Sequence, residues 1–320
     1  MSATTRQSAI AFAPASVGNA AVGFDLLGHA IEGPGDSVVA SRRRQPGVSI
    51  ERIEGVVTDL PGDPERNTAG RAVLALLSAT QPGLGVGLEI HKGIGLGSGL
   101  GGSAASATAA LVAVNALLDR PLPQSALYPF ALAGESAASG ASHGDNVGPQ
   151  LLGGLVLATT DRLIPIPVPD GLWAVVVHPD HVVETRLART SLTEPFPIGT
   201  IVAQQTNLAQ VLCGCYTGDF DLIAAGLADV LVEPRRARLV PGFAEVKRAA
   251  LDHGALGASI SGAGPSVFGW FRHRAQAESA GSAMRSAFAD QGLKAQVHVS
   301  PVDAPGARLV ETPMLTSASG

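Results

Sequence analysis

The chain has 320 residues, 46% of them hydrophobic and 15% charged, with a formal net charge of −5 and a positive mean hydropathy. That length allows about two domains of ordinary size with a sizeable core, and the composition excludes an intrinsically disordered chain. An acidic balance with 4% aromatic residues argues against nucleic-acid binding, which needs a broad basic surface and stacking side chains.

From the N-terminus, "MSATTRQSAIAF" lacks the basic start and apolar run of a secretory signal. No segment reaches the roughly 18 apolar residues of a membrane span, so a cytoplasmic protein is expected. The basic run Arg42 to Arg44 stands beside "QPG" and reads as a solvated hairpin tip. "VGLEIHK" (86–92) is β-prone and reads as a strand. It enters a loop with six glycines, at 93, 95, 97, 99, 101 and 102, which then runs into alanine-rich sequence. A helix is expected over 103–118, with Ser103 placed to cap its first amides. A second is expected over 125–139, Pro129 lying in its first turn, followed by the polar loop "GASHGDNVGP".

Residues 150–168 turn strand-like, and Pro165, Pro167 and Pro169 suggest an edge or a linker, which places a domain boundary near 165. Beyond it the pattern gives a strand (173–178), helices (200–215, 219–231, 241–252), strands (256–260 and 266–271), a helix (274–291) and a strand (294–300). Allowing for an elaborated first crossover, that is the split βαβ, ferredoxin-like order. Cys213 and Cys215 cannot build a disulfide framework and read as packed thiols on a helix. "HPDH" (178–181) offers no third metal ligand, and the tail "TSASG" looks disordered.

Ordering so glycine-rich a loop loses much backbone entropy, which something must offset. "GSGLGG" (97–102) formally matches G-x-G-x-x-G, but no second strand with a terminal acid follows the helix, and the lysine and hydroxyl of a P-loop are missing. What remains is a run of bare amides opening onto a helix N-terminus, a site for phosphate oxygens.

"GSGLGGSAAS" resembles the phosphate-binding motif of the kinase superfamily of galactokinase, homoserine kinase, mevalonate kinase and phosphomevalonate kinase, the GHMP kinases. "FAPASVGNAAVGFDLLGHA" (12–30) and "GASISGAGPSVFGW" (257–270) are similar to the family's first and third motifs, in the same chain order. "FDLLG", "HGDNVGPQLLGG" and "EPRRARLVPGF" resemble the homoserine kinases most. The resemblance implies an α+β, two-domain fold: an N-terminal ribosomal-protein-S5-domain-2-like domain (1–165) carrying the glycine loop, and a C-terminal ferredoxin-like domain (166–320). Two departures stand out: Gly95 replaces a usual proline and Gly102 a usual serine.

By that resemblance, Gly95, Leu96, Gly97, Ser98, Gly99, Leu100, Gly101, Gly102, Ser103, Ala104 and Ala105 wrap the triphosphate of ATP, and Asn67 contacts adenine. Ser103 and Glu135 hold Mg²⁺, which is content with a few oxygen ligands. Asn146 lies near the reacting hydroxyl with His143 beside it, while Asp145 as a base stays open. For the two ends of L-homoserine, Arg189 and Arg236 clamp the carboxylate, Asp25 takes the ammonium, and Asn19 and Thr185 flank them. A homodimer is implied as well. The alternatives are another small-molecule alcohol kinase with the same loop, or a ligand-binding regulator on the scaffold; the intact Ser103 and Glu135 argue against the latter.

Overall fold

The computed structural model describes residues 6–139 and 143–310. Residues 140–142 of the expected polar loop, and the tail "TSASG", lie outside them. The first half of the chain runs β1 (Ser8–Gly18), β2 (Leu27–Arg43), β3 (Gly47–Gly55), α1 (Thr68–Thr80), β4 (Gly85–Lys92), α2 (Gly102–Asn115), α3 (Tyr128–Ser139), α4 (Gly144–Leu152), β5 (Leu155–Ala158) and β6 (Leu163–Ile166). The second half runs β7 (Trp173–Pro179), α5 (Thr185–Thr190), α6 (Ile198–Thr217), α7 (Phe220–Gly226), α8 (Glu233–Arg236), α9 (Phe243–Asp252), β8 (Gly257–Ile260), β9 (Val267–Phe271), α10 (Arg274–Asp290), β10 (Ala295–Pro301) and β11 (Arg308–Val310).

The first sheet has the order β11-β1-β2-β4-β3, with β5 on the early part of β2 and β6 on β5. Only β3 and β4 pair parallel, joined by the crossover helix α1. The turn at 44–46 is therefore no hairpin tip: β2 and β3 flank β4 and do not pair with each other. Residues 104–114 of α2 are buried on every side, as alanine and valine all round the helix require. The helix stops at Asn115, short of 118, because the Asn115 side chain donates to the Leu122 carbonyl and accepts from the Leu122 amide, closing a turn.

The second sheet, β10-β7-β9-β8, is antiparallel and has the ferredoxin-like order expected. Strand alternation divides its side chains between two cores. Val175, Val177, Val267 and Phe271 join α9 and α10, while Ala174, Val176, Phe268 and Trp270 face the core of the first sheet. At that junction Trp270 Nε1 donates to Nε2 of the buried His29, 3.1 Å away.

Two further expectations need correction. The polar loop "GASHGDNVGP" is in its second half a helix, α4, despite two glycines and Pro149. Tertiary packing overrides local propensity here, since Val147, Gly148, Gln150 and Leu151 are buried. The helix expected over 219–231 ends at Gly226, because the Asp229 carboxylate holds the amides of Leu231, Val232 and Glu233 in a separate turn.

Candidate active site

The glycine loop leaves β4 over a buried ion pair. Lys92, 2% exposed, pairs with the fully buried Asp36 and donates to the Gly102 carbonyl (2.7 Å) and the Ser106 hydroxyl (2.8 Å). The other oxygen of Asp36 accepts from the amides of Gly93 (3.0 Å) and Ile94 (3.2 Å). Both ends of the loop are thus tied to one carboxylate and one ammonium, and a buried pair of charges is tolerated only with such full hydrogen bonding.

Further on, the loop's carbonyls are the groups bound to the protein. Those of Gly97, Ser98, Gly99, Leu100 and Gly101 accept from the Val183 amide, the Ser266 and Ser261 hydroxyls, the Ser16 amide and the Gln150 side chain. The amides of Gly97, Gly99 and Gly101 donate no hydrogen bond among the described residues. These three glycines have left-handed φ values of 59°, 77° and 70°. A Cβ at Gly99 would stand 2.5 Å from the Ser261 carbonyl oxygen, whereas a Cβ at Gly95 would meet nothing within 4 Å. Bare amides, a helix N-terminus and no acidic residue in the first turn of α2 together fit an anion such as a triphosphate.

Beside the loop lies a cavity of about 550 Å³ lined by Leu60, Pro61, Asn67, Thr68, Leu96 and Ser103, among others. The Asn67 oxygen caps α1 by accepting from the amides of Ala69 and Gly70, and its nitrogen donates to the Pro61 carbonyl. On α2 the Ser103 hydroxyl donates to Oε2 of Glu135 on α3, at 3.1 Å. Burial pushes the Glu135 carboxyl up to about 7, and the Asp145 charge adds to this against the Ser103 hydrogen bond and the Lys92 charge. A buried carboxyl that resists ionisation beside a hydroxyl is a fitting seat for a divalent cation, which would favour the charged form.

On the other side of the loop the backbone is strained. Asn19, Ala20, Ala21 and Asp25 all have positive φ, a conformation that costs a non-glycine residue on the order of 1–3 kcal/mol. Asn19 holds the turn: its amide donates to Asp145 (3.1 Å), its nitrogen to the Gly262 carbonyl (2.9 Å), and its oxygen accepts from the Asp25 amide (3.0 Å). Asp25 makes a two-pronged ion pair with Arg189, at 2.6 and 3.1 Å, and lies 3.3 Å from His143 Nδ1. Burial lowers the His143 pKa, against the Asp25 charge. Arg236, 3% exposed, donates to the carbonyls of Ala188 (3.3 Å) and Gly262 (2.9 Å). Burial, and then the Arg189 charge, lower its guanidinium to about 10.

Between the two halves stands Asn146. Its oxygen accepts from the Ser16 hydroxyl (2.9 Å), which in turn accepts from Gln150 Nε2 (3.1 Å). With the oxygen engaged, the amide nitrogen is the end left to donate, and an amide cannot serve as a base. Neighbouring Asp145 is pushed up to about 6 by burial and then by the Asp25 charge, against the Asn19 amide.

The sequence-derived residues therefore fall into three groups. Ser103 and Glu135 meet at the glycine loop; Asn19, Asp25, His143, Arg189 and Arg236 meet around the strained turn; Asn146 lies between. Thr185 sits exposed at the start of α5, one turn before Arg189. Sequence reasoning missed Lys92, Asp36, Ser16 and Gln150. Only Lys92, which ends the apolar strand β4, and Asp36, a charge inside β2, carried a signal, since burial of either demands a partner; Ser16 and Gln150 carried none.

Comparison with known proteins places this geometry. The family described as GHMP kinases N terminal domain matches residues 67–154, and GHMP kinases C terminal matches 209–290. The chain is 57% identical to a homoserine kinase of Xanthomonas campestris pv. campestris, over 95% of this chain and 94% of that one. It is 54% identical to a homoserine kinase of Xylella fastidiosa (strain M12), over 96% of each. The crystal structure of homoserine kinase from Cytophaga hutchinsonii superposes with a TM-score of 0.93 at 40% identity, covering 97% of this chain and 99% of that one.

Proposed function

The chain belongs to the GHMP kinase family, and from that premise we infer that it transfers the γ-phosphoryl group of ATP to the side-chain hydroxyl of L-homoserine, giving O-phospho-L-homoserine on the route to threonine. The observation that carries this assignment is the placing of Asn146 between a phosphate-type loop and a turn rich in opposed charges. Its relatives at 57% and 54% identity are homoserine kinases.

The loop from Gly95 to Ala105 receives the triphosphate on its amides and the N-terminus of α2. The cavity under Asn67, whose own amide is occupied in capping α1, receives the base. Ser103 and Glu135 would hold Mg²⁺, which would supply charge neutralisation on the phosphates. Asp25 takes the substrate ammonium, the nearby Asp145 adds negative charge, and Arg189 and Arg236 hold the carboxylate. Thr185 flanks that end. Asn146 then points its amide donor at the reacting centre, and His143 lies beside Asp25. Phosphoryl transfer depends mainly on such positioning and neutralisation, so neither His143 nor Asp145 has to act as a general base.

On the same reading the chain divides into a nucleotide-binding part, 1–165, and a ferredoxin-like part, 166–320, which brings Arg189, Arg236 and Gly262 to the strained turn and returns β11 to the first sheet. No helix among the described residues is long and apolar enough to cross a membrane. Family membership is the support for a homodimer that acts in the cytoplasm. An acceptor without both an ammonium for Asp25 and a carboxylate for Arg189 and Arg236 would match only part of this charge arrangement, which disfavours another alcohol kinase. The test is ADP release with Mg-ATP and homoserine, serine, mevalonate, galactose or shikimate. Homoserine should accelerate it most, and release no faster with homoserine than without an acceptor sinks the assignment.

A further inference from the structure

Two like-charged side chains converge at the strained turn, and hydrogen bonding alone does not explain how they are held together. Arg189 comes from α5 and Arg236 from α8. Each repels the other: the Arg189 charge is among the causes that lower the Arg236 guanidinium. Their polar anchors differ, Asp25 for one and the carbonyls of Ala188 and Gly262 for the other. What they share is Phe24. The guanidinium carbon of Arg189 and that of Arg236 each lie over the Phe24 ring, 5.2 Å from its centroid. The face of an aromatic ring is electron-rich and attracts a cation within about 6 Å.

We propose that Phe24 is a positioning residue for substrate recognition, its ring holding both guanidiniums so that they converge on one carboxylate. The inference rests on Arg189 and Arg236 being the carboxylate clamp. When a zwitterion enters, its ammonium competes with Arg189 for the Asp25 carboxylate, and the two-pronged pair that now fixes Arg189 is weakened. The Phe24 ring is the contact that this exchange leaves untouched. Because Phe24 precedes Asp25 in the same positive-φ turn, ring and carboxylate are delivered together, one for the cations and one for the ammonium.

The test varies ring charge at nearly constant shape. Phe24 is replaced by mono-, di- and trifluorophenylalanine, alongside Phe24→Tyr and Phe24→Leu, and KM is measured separately for homoserine and ATP. Fluorination withdraws density from the ring face, so KM for homoserine should climb step by step, to about 10-fold at the trifluoro derivative, a size in keeping with two cation–π contacts. KM for ATP and the melting temperature should stay at their wild-type values, and Phe24→Tyr should retain wild-type KM for homoserine. A ring that merely fills space would leave KM flat across the fluorinated series. A flat series, with Arg189→Ala raising KM for homoserine at least about 30-fold as loss of a desolvated charge partner does, overturns the role of Phe24. A flat Arg189→Ala result overturns the clamp itself, and the role of Phe24 with it.

Discussion

Gly95 and Gly99 belong to the same loop, yet the structure gives them opposite tolerance for a methyl group. Gly99→Ala places a side chain on a backbone with φ of 77°, which costs an ordinary residue about 1–2 kcal/mol. The new Cβ also stands 2.5 Å from the Ser261 carbonyl oxygen and 2.8 Å from that of Gly264. Neither oxygen is the end of a flexible side chain, and overpacking of this kind costs a further 1–3 kcal/mol or so. Relief requires the loop to move away from the 261–266 turn that holds it, so the strain is expressed as misplaced phosphate-binding amides. Together the two effects correspond to about 30-fold to several thousand-fold in kcat/KM for ATP. Gly95→Ala meets nothing within 4 Å and has no left-handed φ to oppose it, so its kcat/KM should stay within about twofold, as for a surface substitution. Both variants are assayed by coupled ADP release at saturating homoserine, with thermal unfolding in parallel. Equal kcat/KM for the two, or Gly99→Ala within threefold or so of wild type, would refute the reasoning.

Glu135→Gln should weaken Mg²⁺ binding by about 10-fold or more and cut turnover at limiting Mg²⁺; wild-type turnover there would reduce Glu135 to a structural acid. Because burial raises the Glu135 carboxyl to about 7, it is protonated below that pH, and a metal ligand must be deprotonated. Apparent Mg²⁺ affinity, followed by titration calorimetry, should therefore fall as pH drops through 7 in the wild type and lose that dependence in Glu135→Gln. At the junction of the sheets, burial lowers the His29 pKa from its usual 6.5 to about 4, and the neutral ring accepts from Trp270. A depressed folded pKa means its stabilisation is complete above pH 6.5 and lost as pH falls towards 4, in all about 3 kcal/mol. The stability difference between wild type and His29→Gln, measured by urea unfolding, should shrink across that window; a difference constant from pH 7 to 4 speaks against a buried neutral histidine.

Periodicity and turn residues carried most of the second sheet: each of its strands and its two covering helices stands within a few residues of where the sequence put it, because apolar alternation and glycine-bounded segments are local signals. The glycine loop was equally legible, since only an unusual backbone requires so many bare positions. The helix α4 was not, because glycine and proline speak against a helix and only burial of Val147 and Leu151 outweighs them. Nor could the sequence show that Lys92 and Asp36, 56 residues apart, close both ends of one loop. Ser103 and Glu135, or Asp25 and Arg189, are named by motif, but their meeting depends on distant segments folding together. Sequence by itself determined the glycine loop and, through motifs that resemble those of a known family, which residues have the chemistry; which of them face one another was decided only in three dimensions, where burial forces each charge to find a partner.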